Sequence, residues 1–350
     1  MKQISRMAWL AALALALLAL AAHASAAPAA QAPGGPLYAV EAQGTITSVT
    51  IGHLRRALQL AEASDAQALI ITLRTGGGVL RDIRPFGAEI ARARVPVVVY
   101  IAPAGLRSGA PGAFFASAAH VSALAPGASF GSPYPLAQVD AALSEQTRNL
   151  VLDSVADQLR GWNETRGRSA AWVDRAVREG VVLTSEQAMA ATPPAVDLVA
   201  ADRDELLVLL EGRSVALANG RTVRLSTLGQ QPIPVEPTLV ESLRLALSDP
   251  TVAFALLILG AMAIYLELAS PGMGIFAGIG LVLLVAAGAG LVVLPLRWWG
   301  VALLLLALAL IGAEFVVHSH GALTVAGLAL LVVGALNLVD PVQAPGAAVA

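Results

Sequence analysis

The sequence predicts an α/β domain followed by a bundle of membrane helices, and three observations carry that expectation. Between residues 34 and 245, short apolar runs of strand character alternate with amphipathic stretches. Residues 251–339 hold almost all of the long uncharged runs. The 350-residue chain is 57% hydrophobic and only 13% charged, with a mean hydropathy of +0.71, too apolar for one ordinary soluble domain.

The elements follow in order. Lys2 and Arg6 precede the apolar run Ala8–Ala22, which closes on Ala24-Ser25-Ala26. A basic start, a short apolar core and a small-residue site predict a secretory signal peptide over residues 1–26, the run being too short for a full span. Tyr38–Ala42 reads as a strand, and Ile51–Ala63 as an amphipathic helix. The buried-strand run Ala68–Leu73 ends at Thr75-Gly76-Gly77-Gly78, and a helix follows over Ile83–Arg94. Val95–Ile101 is the next strand, running through a small-residue turn into an apolar helix that ends at His120. A short strand near Val121–Leu124 and a long helix over Ala141–Trp162 come next, with Leu150 assigned to its apolar stripe. Continuous apolar strands separated by helices predict a mostly parallel sheet covered on its faces.

Asp202–Leu210 reads as a small helix, and Ser214–Ser226 as a hairpin turning at Asn219-Gly220. The expected domains are the α/β unit over 34–228, a proline-rich linker over 229–248, four helices within 249–340 and a tail over 341–350. The four spans fall at about 251–268, 273–296, 301–317 and 321–339, with export of the N-domain setting their orientation. Glu267, Glu314, His318 and His320 lie near span ends, where helix-end solvation accounts for them.

Composition excludes several classes. There is no cysteine, so disulfides, thiolate catalysis and cysteine metal sites are out. Net charge is −2 with no basic block, which gives no footprint for nucleic acid. No histidines or carboxylates stand at metal-ligand spacing, and no cofactor is expected.

Two loops carry chemistry. Gly76–Gly78 lets successive backbone N–H groups turn toward an anion, an oxyanion hole or a phosphate nest, and no Walker lysine follows. The stretch LRSGAPGAFFASAAH, Leu106–His120, has the strand–turn–helix form of a nucleophile elbow. Its only hydroxyl at the turn is Ser108. His53, at a helix start on another unit, and His120, about three turns along the elbow helix, read as structural residues.

TGGGVL, VPVVVYIAP, the elbow and AAHVSALAPGASFGSP resemble the NfeD-type membrane serine proteases of the ClpP/crotonase-like class. The resemblance continues through RGRSAAWVDRAVREGVVLTSEQAM, the NGR hairpin and LSDPTVAFALLILGAMAIYLELASPG, and spans about Leu37 to Pro341. It implies a ClpP-like exported domain with a Ser-Lys dyad, fused to a membrane bundle. The family serine then falls at Ala110 and the lysine at about Leu150, so neither is kept. Lys2 is the only lysine of the chain. Arginine cannot replace it as a base, because its guanidinium does not give up a proton near neutral pH.

Two functions follow from the resemblance. One is a degenerate protease homologue that binds or scaffolds peptide, a partner of stomatin/prohibitin-like membrane proteins. The other is an active extracytoplasmic endopeptidase cleaving hydrophobic segments with Ser108, its oxyanion held near Gly77 and Gly78. The family also implies homo-oligomers, and its long members add an OB-like barrel that is not found in this sequence. Restoring the dyad by Ala110→Ser with Leu150→Lys is expected to restore cleavage.

Overall fold

The computed structural model describes residues 35–131, 144–269, 273–292, 296–317 and 319–338. The expected signal peptide, His318 and the tail lie outside them.

Strand β1 (Leu37–Gln43) leads into helix α1 (Ser48–Ala63), and β2 (Ala68–Arg74) into α2 (Leu80–Ala91). Next come β3 (Val97–Ile101), the short β4 (Arg107–Ser108), α3 (Ala110–Ala118), β5 (Val121–Leu124) and β6 (Ser129–Gly131). The long α4 spans Glu145–Thr165, followed by α5 (Val173–Glu179), β7 (Val182–Thr184), α6 (Ser185–Ala190), β8 (Leu198–Val199) and α7 (Arg203–Leu210). The hairpin β9 (Ser214–Ala216) and β10 (Thr222–Arg224) precedes β11 (Ile233–Pro234).

The main sheet runs β11-β1-β2-β3-β5-β8, and every pairing in it is parallel. Its central strands read as unbroken apolar runs because both faces are covered. Val97–Ile101 is buried throughout, and in β2 only Arg74 emerges. A second sheet of β4, β6 and β7 stands beside it. Parallel βα units gather the loops after β2 and β3 at one edge, the place where open α/β sheets hold their ligands.

Arg168 fixes the helix that follows β4. It is 4% exposed, and its guanidinium donates to Ala116 O at 2.7 Å and Ala119 O at 2.9 Å, carbonyls at the end of α3. Its charge is met by Asp197 at 2.7 Å, which also accepts from Ser122 N. The RGRS stretch is thereby tied to the C-terminal end of the elbow helix.

The stretch 229–248 is more than the expected linker. Ile233 and Pro234 pair with Tyr38 and Ala39 as an edge strand, where a proline without N–H is tolerated. Helix α8 (Leu239–Leu247) then folds back onto α1, where Arg56 forks onto Glu241 at 2.9 and 2.7 Å. Thr238 and Glu241 form its capping box. This return buries His53, expected as a solvated helix end, to 3% exposure beside Arg56 and Glu241. Burial lowers its pKa, against the raising effect of Glu241.

Four apolar helices follow among the described residues: α9 (Pro250–Ala269), α10 (Ile275–Leu291), α11 (Trp298–Val317) and α12 (Ala322–Leu336). Among the described residues, α9 alone is long and apolar enough to cross a membrane by itself, through its window Pro250–Glu267. The apolar lengths Ile275–Leu291, Trp298–Glu314 and Ala322–Leu336 are shorter.

Candidate functional site

The glycine loop and the elbow meet as the sequence order predicts. Gly109 N donates to Gly76 O at 3.1 Å, which binds the elbow to the loop. On the loop's other side, Ile46 N donates to Gly77 O and Val79 N to Ile46 O, a parallel bridge centred on Gly78. Backbone groups alternate along an extended strand, so this bridge turns Gly78's own N–H toward the elbow. The glycine is required there: a Cβ on Gly78 would fall 2.5 Å from Ile46 Cβ. Gly77 N donates to Thr75 Oγ1, whose hydroxyl donates to Gly77 O at 2.7 Å. Among the described residues nothing accepts from the N–H of Gly76 or Gly78. One half of an anion-binding cradle is therefore present.

The elbow supplies less. Ala110 opens α3 and is 3% exposed, so a methyl group occupies the position where the family resemblance expects the serine. In a nucleophile elbow the residue after the nucleophile donates its N–H to the oxyanion. Here that residue is Pro111, which has no N–H to give. The same proline suits the first turn of the helix that follows, so its presence at this position serves α3.

Ser108 lies on β4, beneath the first turn of α3. It is 1% exposed and pairs with Phe130 across β6. A Cβ on Gly112 would fall 2.9 Å from its Oγ and 3.0 Å from Phe130 Cβ, so helix, hydroxyl and ring are in close contact. Its Oγ is buried, with no hydrogen-bond partner among the described residues. No base stands beside it among the described residues. His120 is held elsewhere, its Nδ1 accepting from Val97 N at 3.2 Å. Burial first, then Arg166 and Arg168, push the His120 pKa down to about 3, and the ring is neutral at pH 7.

Helix α4 corrects the expected stripe. Leu152, Val155, Ala156, Leu159 and Asn163 face inward, and Asn163 donates to Ser117 Oγ on α3 at 2.9 Å. Leu150 is 64% exposed, not core. Two residues before Leu152 is about 200° around a helix, which turns it to the opposite side. Arg148, four residues before Leu152, shares the inward phase and is half-buried, with a buried Nε lacking a hydrogen-bond partner. Whichever position is taken for the base, lysine is absent and arginine cannot serve.

The site also touches the membrane helices. Val79, which ends the glycine loop and caps α2, is 4% exposed in one apolar cluster with Ala253, Leu291, Leu304 and Leu338. The loop that would hold an anion is thus seated against the bundle. No group of histidines and carboxylates able to hold a metal occurs among the described residues.

A mixed α/β domain with a glycine loop and an elbow is joined, among the described residues, to four apolar helices. Residues 251–350 match the NfeD integral membrane domain. The chain is 27% identical over 305 residues to membrane-bound protease PH1510 of Pyrococcus horikoshii, an alignment covering 86% of this chain and 68% of that protein. Solved structures match the N-terminal region, among them two variants of one protease domain. One is a lysine-to-alanine variant of 1510-N, a membrane-bound stomatin-specific protease, in complex with a substrate peptide. It is 25% identical, with a TM-score of 0.52 over 61% of this chain and 97% of that one. The other is a serine-to-alanine variant of 1510-N, 26% identical with a TM-score of 0.52, over 59% of this chain and all of that one. The chain thus carries an NfeD integral membrane domain over residues 251–350 and, in its N-terminal region, the α/β fold of the 1510-N structures, the fold class its sequence predicted.

Proposed function

We propose that this chain is a degenerate member of its protease class: a membrane-anchored peptide receptor that keeps the acceptor loop and has lost the cutting chemistry. One observation carries the reading. The serine position is Ala110, the oxyanion donor after it is Pro111, and no lysine stands anywhere beyond Lys2. Nucleophile, half of the oxyanion hole and base are missing together, and each alone would cost orders of magnitude in rate.

The ligand class in this reading is an extended apolar peptide from a stomatin-like membrane protein, which pairs with backbone beside Gly76–Gly78. The seat of Val79 in the bundle cluster supports a ligand presented at the bilayer surface. The α/β domain is exported behind the signal peptide 1–26, the four helices α9–α12 span the cell membrane, and the chain self-associates.

The test uses the full chain in lipid nanodiscs with an apolar peptide copied from the C-terminal segment of a stomatin-like protein. Saturable binding with no cleavage, in wild type and Ser108→Ala alike, is the expected result. Cleavage that disappears in Ser108→Ala would overturn the proposal and make Ser108 the nucleophile. Ala110→Ser with Leu150→Lys stays inactive, because Pro111 still withholds its amide and position 150 faces outward. Adding Pro111→Ala and moving the lysine to position 148 is the change that brings cleavage closest.

A further inference from the structure

The membrane region repeats itself. Glu267 and Glu314 are 47 positions apart, and so are Gly274 and Gly321, Gly280 and Gly327, and Ile264 and Ile311. In an apolar sequence such coincidences are cheap, but the contacts made by these residues also coincide. Glu267 accepts from Gly274 N at 3.0 Å and Phe276 N at 3.1 Å. Glu314 accepts from Gly321 N at 2.8 Å and Leu323 N at 3.1 Å, again seven and nine residues on. Both glycines cap the next helix with positive φ, 78° and 92°. Each carboxylate therefore satisfies the first free N–H groups of the returning helix, the work of an N-cap done from a distance.

The closures match as well. A Cβ on Gly280 would fall 2.7 Å from Gly260 O and 2.7 Å from Ile264 Cγ1. On Gly327 it would fall 2.9 Å from Ala307 O and 2.6 Å from Ile311 Cγ1. Gly260 and Ala307 are again 47 apart. The domain is two copies of one glycine-closed hairpin, α9–α10 and α11–α12, run in the same direction.

Between the copies lies a crevice of about 450 Å³. Equivalent residues of both hairpins line it: Ile264 and Ile311, Leu284 and Leu331, Tyr265 and Gly312. The last pair breaks the symmetry. Opposite a tyrosine stands a glycine whose missing side chain leaves open space, with nothing within 4 Å of its Cβ direction.

We infer that this crevice is a lipid site, holding one acyl chain between the repeats. Its lining and setting select the occupant. No charged side chain lines the crevice, and Met262 and Leu328 on its lining are half-exposed, so it opens on the surface of the bundle that acyl chains cover in a bilayer. An extended chain of methylene groups fits the volume, matches the uncharged lining and is the surrounding solvent of a membrane domain.

The full chain in nanodiscs of phosphatidylcholine bearing a diazirine on one acyl chain tests this. After irradiation, adducts are expected to concentrate at Ile311 and Gly312. They fall several-fold in Gly312→Leu, whose side chain enters the open space, and in Leu328→Phe, which narrows the crevice from α12. Labelling of Leu281 and Val325, which are 61% and 69% exposed on outer faces, stays unchanged. Equal labelling of crevice and outer faces, unaltered by either variant, would overturn the assignment. So would crosslinks at Gly312 to a second polypeptide, which would make the crevice a protein interface.

Discussion

The loops after β2 and β3 stand side by side at one sheet edge, joined by the Gly109–Gly76 hydrogen bond. They differ in what they keep of an acyl-transfer site. The glycine loop retains its close backbone contact at Gly78 and two N–H groups that find no acceptor among the described residues. The elbow retains its shape, with Gly112 packed on Ser108 and Phe130, while the positions that the proposed function assigns to nucleophile and oxyanion donor hold Ala110 and Pro111. Residues that build a turn and residues that react in it are different residues. The first set can survive the loss of the second.

That separation is easiest to break at Arg168, which serves the fold only. Arg168→Ala leaves the half-buried Asp197 without its cation and frees the last carbonyls of α3, and should cost about 2–4 kcal/mol. Denaturant unfolding of the detergent-solubilised chain would read this. A loss under about 1 kcal/mol would mean that the elbow helix does not depend on this ion pair.

The glycines come next. Gly78→Ala and Gly112→Ala drive a methyl to within 2.5 Å and 2.8 Å of Ile46 and Ser108 side-chain atoms. Each should cost about 1–3 kcal/mol by overpacking. Gly76→Ala meets only Arg107 O at an ordinary 3.6 Å and should stay within about 0.5 kcal/mol. If all three behaved alike, the loop would be conformationally pliant and its contact with Ile46 unimportant.

His120 gives a pH dependence of intermediate size. Its folded pKa, about 3, lies below the ordinary 6.5, so the unfolded chain binds a proton that the folded chain refuses. Stability is complete above pH 6.5 and falls as pH drops from there toward 3. By pH 4.5 the loss is about 1–3 kcal/mol, and His53, also lowered, adds to it in the same direction. Thermal unfolding of His120→Gln against wild type at pH 7 and pH 4.5 checks this. An unchanged pH slope in the variant would put the acid sensitivity elsewhere.

Much of this architecture was legible in the sequence because the strands are buried on both faces. ALIITL and VPVVVYI can hardly be anything but central strands, and each is followed by a glycine-marked turn. What escaped the reading depends on partners distant in the chain. The phase of α4 was set by Leu150 when Arg148 and Leu152 face inward, a choice that only packing on α3 decides. The prolines of 230–237 suggested a linker, yet Ile233-Pro234 completes the sheet edge and α8 buries His53 through Glu241. The hairpin repeat was hidden by the sameness of apolar sequence, until the hydrogen bonds of Glu267 and Glu314 marked its register.

The smallest expected effect distinguishes the two readings of the elbow most directly. Ser108→Ala removes a buried hydroxyl with no hydrogen-bond partner among the described residues, in a β4 strand whose backbone pairing with β6 does not involve the side chain. Deleting an unsatisfied polar atom returns its desolvation cost, so the variant should match wild type within about 0.5 kcal/mol or exceed it slightly. A nucleophile held ready by a base would behave otherwise, since its removal would strand a hydrogen-bonded partner at about 1–3 kcal/mol. A stability loss of that size in Ser108→Ala would therefore reveal a base that the described residues do not supply, and would reopen the elbow as a working site.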